Sequence, residues 1–459
     1  MQNKQNRFTF GLGTIGRDMI YALVSMFLMF YLTDVLELST AVLWWIAGII
    51  VFARVFDALN DPFMGFIIDN TNTRWGKFKP WIATGALLTA VFTVLLFTNF
   101  RLQGTGFIIM FAVFYVMWGI SFTINDISYW SMLPTLSVDQ KERERIGSLA
   151  RICANIGLFF VVAGIEPITR MLGETFGSSQ KAFFVFAICI TLFMLAGQCI
   201  TLFGVKETKL VKSKTQATPL RELFGIIVKN DQLLFTTIST ALFMIGYTTT
   251  TTFGIYFFKY AYGNEGMYGI FAGILGISQL TALSVFPLFS KHFDRKTLFS
   301  GAIVLVAIGY ILFFFAPVTT MLFIGIAGVL IFLGQSFVQL LMLMFLADSV
   351  DYGHWKLGKR NDSITFSLQP FIYKVGGAVS SGVVMAVIII SGINEAETAA
   401  EVTPAGLLMM KSAMLLFPLI CIVFSYFIYR AKYKIDAKFY AQILSDLEAR
   451  GEIKCKLDP

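Results

Sequence analysis

Residues 44–68 read WWIAGIIVFARVFDALNDPFMGFII, an apolar stretch long enough to cross a bilayer that nonetheless carries Arg54, Asp57, Asn60 and Asp61. Asp57 and Asp61 stand one helical turn apart and so share a face. A carboxylate near the bilayer centre costs about 2.5–3.5 kcal/mol on insertion scales, so the pair demands something that offsets its charge. A bound cation, a proton or a basic residue from a neighbouring helix would serve. A choice among such neutralising partners is the physics of cation-coupled transport.

The rest of the chain has the same character. Of its 459 residues, 56% are hydrophobic and 14% charged, more apolar than a soluble core of that size needs. Hydropathy predicts an all-α membrane protein with twelve transmembrane helices, near 17–37, 41–69, 80–99, 107–133, 148–172, 182–204, 232–260, 267–290, 297–316, 320–351, 363–391 and 406–430. A polar segment between the sixth and seventh carries Lys206, Lys209, Lys212, Lys214, Arg221 and Lys229. It divides the chain into a bundle over 1–204, a central loop over 205–231, a second bundle over 232–430 and a tail over 431–459. Phe439, Ile443 and Leu447 recur every four residues in that tail, which predicts a short helix. Met1 to Arg7 reads as a polar lead, with no small-residue cleavage site after the first span.

Lysine and arginine set the orientation. Loops after even-numbered helices carry Arg74, Lys77 and Lys79; Lys141, Arg143 and Arg145; the central segment; Lys291, Arg295 and Lys296; and Lys356, Lys359 and Arg360. Loops after odd-numbered helices offer Arg101, Arg170 and Lys181 beside acidic Glu265, Glu395, Glu397 and Glu401. By the positive-inside rule, both termini and the central loop face the cytoplasm of a multi-pass protein of the cell membrane. The net charge of +8 is thus spent on topology, and no nucleic-acid partner is expected. Cys153, Cys189, Cys199 and Cys421 lie in apolar spans and Cys455 in the tail, without disulfide or metal-site spacing. His292 and His354, the two histidines, fall in loops. No enzyme chemistry and no cofactor are expected.

Six plus six helices around a basic central loop is the layout of two pseudo-symmetric bundles, the major facilitator fold. The step from Gly65-x-x-x-Asp69 to Arg74 strengthens it, and Phe293-Asp294-Arg295-Lys296 echoes it in the second half. Four runs then become specific: Phe30-Tyr31-Leu32-Thr33-Asp34-Val35, Arg54 to Pro62, Arg74-Trp75-Gly76-Lys77-Phe78-Lys79-Pro80-Trp81, and Ala347 to Gly353. In order and spacing the chain resembles the glycoside–pentoside–hexuronide:cation symporter family from about residue 8 to residue 430. Within it, Thr123-Ile124-Asn125-Asp126 with Tyr129-Trp130 is similar to the melibiose permeases. The resemblance implies a cation site of Asp57, Asn60, Asp61 and Thr123, and a sugar site of Asp18, Asp126, Trp130 and Arg151 with Arg17 and Gln369. It places Lys374, and Arg54 with it, in a coupling role. Phe122 departs from a tyrosine in those permeases, Gln339 from a tryptophan and Pro370 from a threonine, which puts melibiose itself in doubt.

The residues support the same division, with alternatives. Asp57, Asn60, Asp61 and Thr123 offer only oxygen, suited to a hard monovalent ion such as Na⁺, whereas two close carboxylates could instead share a proton. Both could also be held in salt bridges to Arg54 or Lys374 that only fix helices. Thr123, Asp126 and Trp130 share one face of the fourth helix, pairing a hydroxyl acceptor with an aromatic plate as sugar recognition requires. Against this, Trp130 could anchor at the interface and Asp126 could pair with Arg151. Asp18 reads by position as a helix-start acid. Thr248 to Thr252 line a cavity or satisfy their own helix, while Arg74 to Lys79, Lys141 to Arg145 and Asp351 suit charge locks between bundles. Lys259 can snorkel, and Glu166-Pro167 reads as structural. The reading is symport of a small glycoside, galactoside-like, with Na⁺ or H⁺ across the lipid bilayer. Its rival is a proton-coupled exporter of amphiphilic compounds.

Overall fold

In the computed structural model, residues 2–206, 223–264, 266–318, 320–393 and 401–453 are described. Lys209, Lys212, Lys214, Arg221, Glu265, Glu395, Glu397 and Cys455 lie outside them. Among the described residues, twelve helices are long and apolar enough to cross a membrane. They are α1 (Lys4–Val35), α2 (Thr40–Asp69), α3 (Lys79–Leu96), α4 (Gly104–Leu136), α5 (Gln140–Phe176), α6 (Ser179–Gly204), α7 (Asp231–Ala261), α8 (Met267–His292), α9 (Arg295–Phe315), α10 (Met321–Leu357), α11 (Asp362–Ile390) and α12 (Pro404–Lys432). A thirteenth helix, α13 (Ala437–Ala449), lies in the tail.

Local chemistry sets the ends. Pro80 and Pro404 occupy first-turn positions, where the missing N–H costs nothing. Asp139 caps α5 by accepting from Lys141 N at 3.1 Å. Gly177 and Gly358 end α5 and α10 at φ of 66° and 69°, which a side chain would resist. The polar lead departs from expectation, because the helix runs back to Gln2. Its polar side chains close the end of α6: Gln5 donates to Gly204 O at 3.0 Å, and Asn6 exchanges hydrogen bonds with the backbone of Lys206. α1 also contains π-helical turns at Leu23–Phe27 and Tyr31–Val35, and α7 closes with one at Phe257–Ala261.

The chain forms two compact units, Met1–Leu223 with Asn361–Ser367, and Phe224–Arg360 with Leu368–Pro459. In the first, α1 packs on α5 and α6, α2 on α4, and α3 on α4 and α6. In the second, α7 packs on α12, α8 on α10, and α9 on α10 and α12. Four of these pairings repeat six helices later, as a duplicated bundle requires.

The Gly65 and Asp69 step has a concrete role in the first unit. A Cβ on Gly65 would fall 2.5 Å from Ser363 O, so only glycine allows the approach. One turn on, Asp69 accepts from the amides of Ser363 and Ile364 at 2.9 and 2.8 Å. Lys77 then joins Asp69 at 2.5 Å to Asp362 at 3.3 Å. Glu142, in the other basic run, accepts from Arg7 and lies 3.6 Å from Arg145, so this run fastens α1 to α5 within one unit.

In the second unit, α13 docks on the end of α10. Tyr440, Ile443 and Leu447 are its buried stripe, and Phe439 packs edge-on against Tyr352 and Trp355. Tyr440 donates to Asp351 at 2.6 Å, and Trp355 Nε1 to Asp446 at 2.8 Å. Asp436 caps the helix by accepting from Phe439 N at 2.9 Å. That hydrogen bond, with Lys296 nearby, holds the Asp436 carboxyl below its ordinary range despite some burial. A lowered carboxylate stabilises above its unfolded pKa, and the contribution is lost as pH falls through the folded value. Asp436→Ala should therefore loosen α13 by about 1 kcal/mol, read as faster amide exchange over 437–449. Wild-type protein should show the same acceleration as pH falls through the lowered Asp436 value.

Candidate functional site

The sequence-predicted residues of the first unit gather into two neighbouring clusters that share α4. The first is built around Arg17. Because α1 begins near residue 2, Arg17 and Asp18 sit in mid-helix rather than at its start, which corrects the helix-start reading of Asp18. Arg17 is only 2% exposed, and one guanidinium nitrogen lies 3.1 Å from Asp18 while the other lies 3.1 Å from Asp126. Its Cζ stands 4.9 Å from the Tyr129 ring centroid and 5.2 Å from that of Trp130.

Arg151 of α5 covers the same indole at 4.5 Å. Trp130, at 4% exposure and edge-on to Phe10 and Tyr129, is no interfacial anchor. The alternative pairing of Asp126 with Arg151 is not what the structure has: the cation beside Asp126 is Arg17, while Arg151 stacks on the tryptophan and leaves one guanidinium nitrogen without a hydrogen-bond partner. Two cations and two carboxylates thus close a balanced set over an aromatic floor, each guanidinium–ring contact contributing about 0.5–2 kcal/mol. A sugar brings what this set can exchange for, namely hydroxyls for the carboxylates and an apolar ring face for the indole.

The second cluster lies between α2 and α4. Asp61 is fully buried, and Thr123 Oγ1 donates to its carboxylate at 3.5 Å. Asp57 lies over Gly119, where a Cβ would meet its carboxylate oxygens at 2.8 and 3.0 Å. Asn60 is half-buried on the same helix, and Arg54 reaches the Tyr115 hydroxyl. Gly119 and Thr123 are one turn apart on α4, so the pocket is made where a missing side chain and a hydroxyl follow each other. The donors present are carboxylate, amide and hydroxyl oxygens, which fit a hard monovalent cation. No group of three or more His, Cys, Asp or Glu able to hold a metal occurs among the described residues.

Behind both clusters runs a polar network absent from the sequence reading. Asn125 donates to Ile82 O at 3.0 Å and to Gln198 at 3.1 Å, and Gln198 donates to Gly13 O at 2.8 Å. Tyr129 donates to Phe10 O and lies 3.1 Å from Thr201. These residues alternate along α4 with Thr123, Asp126 and Trp130, and so fix its rotation against α1, α3 and α6. Phe122 completes an aromatic stack with Tyr21 at 5.3 Å and Trp118 at 5.5 Å.

In the second unit, Gln369 is buried with its Oε1 unpartnered, and Lys374 is half-buried on the same helix. Most of the threonine run turns to its own helix: Thr248, Thr249, Thr251 and Thr252 donate to the carbonyl four residues back, while Thr250 lies 2.7 Å from the Tyr310 hydroxyl and 3.0 Å from Met414 O. Thr248 also reaches Gly376 O at 3.1 Å.

The family described as MFS/sugar transport protein matches residues 9–437. The chain belongs to this family. The match agrees with the motifs, and the protein is a glycoside–pentoside–hexuronide-like symporter of the major facilitator superfamily, a transporter and not an enzyme. It is 31% identical to the raffinose carrier protein of Pediococcus pentosaceus, over 98% of this chain and 72% of that one. It is 30% identical to the lactose permease of Leuconostoc lactis, over 96% and 71%. Among solved structures, the outward conformation of the major facilitator transporter FucP superposes with a TM-score of 0.68 over 95% of this chain and 99% of that one. At 12% identity that likeness establishes the fold.

Gly119 offers a clean test of the α2–α4 pocket. The atom a new methyl would meet is the end of the flexible Asp57 side chain rather than backbone. Gly119→Ala should leave expression and thermal stability nearly unchanged. It should weaken cation binding by on the order of tenfold, as expected for about 1.4 kcal/mol lost at one ligand, measured by cation-dependent protection in the purified protein.

Proposed function

We propose that the protein imports a small galactoside-like glycoside together with Na⁺, by alternating access, with both termini cytoplasmic. One observation carries this reading: about three turns of α4 present Gly119 beneath Asp57, Thr123 against Asp61, Asp126 against Arg17, and Trp130 beneath two guanidinium groups. A cation pocket and a sugar pocket built on one helix cannot be filled independently. The ion offsets Asp57 and Asp61 and steadies α4. Asp126 and Trp130 then stand ready for the sugar. By linkage, sugar raises cation affinity by the same factor.

The roles follow from that arrangement. Asp57, Asn60, Asp61 and Thr123 take the cation, and Na⁺ gives the neutral oxygens of Asn60 and Thr123 work that a proton does not. Asp18, Asp126, Arg17, Arg151 and Trp130, all of the first unit, take the sugar. Arg54 tunes the charge balance. The basic loops after even-numbered helices support the orientation. Lactose and raffinose, for which two relatives are named, both contain galactose, which supports a galactoside. An exporter of amphiphilic compounds would favour an apolar cavity, and four charges gathered around Trp130 weigh against it.

Membrane vesicles should accumulate labelled lactose, raffinose or melibiose when an inward Na⁺ gradient is imposed. Accumulation driven only by a proton gradient would replace Na⁺ by H⁺, and accumulation under neither would overturn the reading. Asp61→Asn should abolish uphill accumulation while the protein still reaches the membrane. Trp130→Ala should weaken sugar binding by about 1–2 kcal/mol, with Na⁺ affinity changed far less, both read by calorimetry.

A further inference from the structure

Helix α4 carries two neighbouring stripes of the same spacing. Gly119, Thr123, Asp126 and Trp130 form the one described above. Phe111, Tyr115, Trp118 and Phe122 form the other, again at helical steps that keep one face. Its rings stack in a column: Phe111 on Tyr115 at 5.5 Å, Tyr115 on Trp118 at 6.1 Å, Trp118 on Phe122 at 5.5 Å, and Phe122 on Tyr21 of α1 at 5.3 Å. Trp118 is pinned by its Nε1, which donates to Thr93 of α3 at 3.1 Å.

Packing explains the rings, since phenylalanine would fill the same space, but it does not explain the two hydroxyls. The Tyr115 hydroxyl is met by Arg54, and the charge of Asp57 reaches it as well. The Tyr21 hydroxyl feels Arg54 of the cation cluster together with Asp18 and Asp126 of the sugar cluster, Arg54 the most strongly of these charges. Asp18 is one turn before Tyr21 on α1, as Arg54 is one turn before Asp57 on α2. Among the described residues the Tyr21 hydroxyl has no hydrogen-bond partner, and its side chain is exposed. It stands near both clusters and is committed to neither.

We propose that Tyr21 is a positioning residue that links the two clusters: when a cation fills the α2–α4 pocket, its hydroxyl accepts from Arg54 and donates to Asp18 or Asp126. This rests on the symport reading above and adds the residue through which one ligand is felt by the other. A phenol accepts and donates at once, and a guanidinium has five donors, so Arg54 can serve Tyr115 and Tyr21 together. While the pocket is empty, the carboxylates of Asp57 and Asp61 draw Arg54 towards themselves. A bound cation answers that charge and releases Arg54 to Tyr21. The Tyr21 hydrogen then steadies a carboxylate where it accepts sugar hydroxyls. Hydrogen bonds in such a chain polarise one another, so the link is stronger than its separate bonds.

The test uses the full-length protein in lipid nanodiscs, with lactose, raffinose and melibiose as probes in sodium chloride and in choline chloride. The readout is the factor by which sodium raises sugar affinity. By linkage, sugar raises sodium affinity by the same factor, which gives a second measurement. Tyr21→Phe keeps the ring and its stack on Phe122 and removes one oxygen. It should lower that factor by on the order of tenfold, with the melting temperature unchanged. A merely structural hydroxyl would weaken both affinities together or lower the melting temperature, and leave the factor alone. A factor equal to that of wild type, or a variant that does not fold, overturns the link alone. Wild-type protein that binds sugar equally in both salts overturns the sodium reading and the link with it, and wild-type protein that binds none of the three sugars overturns the glycoside reading as well.

Discussion

A charge inside a bilayer must be neutralised by the protein that carries it, and the first unit is organised around one instance of that rule. Arg17, almost wholly withdrawn from solvent, is held between Asp18 and Asp126 and lies over Tyr129 and Trp130. Removing either carboxylate would leave a buried cation half compensated, a change that typically costs several kcal/mol. The same rule governs the helix ends, where Lys77 joins Asp69 to Asp362 and Arg295 pairs with Asp348. On α4 the Thr123 hydroxyl donates to Asp61.

Such clusters work only if the helix bearing them cannot turn. A rotation of α4 by one residue would move Asp126 from Arg17 and Thr123 from Asp61 together. Asn125, Gln198 and Tyr129 oppose it from the far side, reaching backbone carbonyls of α1 and α3 that have no other way to rotate with α4. Close packing adds to this. A Cβ on Gly85 of α3 would lie 2.6 Å from Asn125 N, so the two backbones are nearly in contact. Buried polar networks that are largely satisfied rigidify in this way.

Much of this was readable from spacing alone. The apolar run with Asp57 and Asp61 one turn apart, and Thr123, Asp126 and Trp130 along one face, required only the helical repeat. What spacing does not carry is the identity of partners from other helices. Asp126 is met by Arg17 rather than Arg151, and residue types do not announce which arginine reaches it. Asp18 looked like a helix start because residues 2–7 are polar, yet those residues continue the helix beyond its apolar part. Gly119 carries no functional group and was invisible until the Asp57 carboxylate was found over it.

The π-helical turns have a further consequence. Each admits an extra residue, so the helix widens locally. α1 and α7, counterparts six helices apart, both close with such a turn, at Tyr31–Val35 and Phe257–Ala261. The two bundles thus carry the same widening at the same end of their first helix, each closed by a bond of ordinary length, Leu36 N to Tyr31 O at 2.9 Å and Tyr262 N to Phe257 O at 3.0 Å.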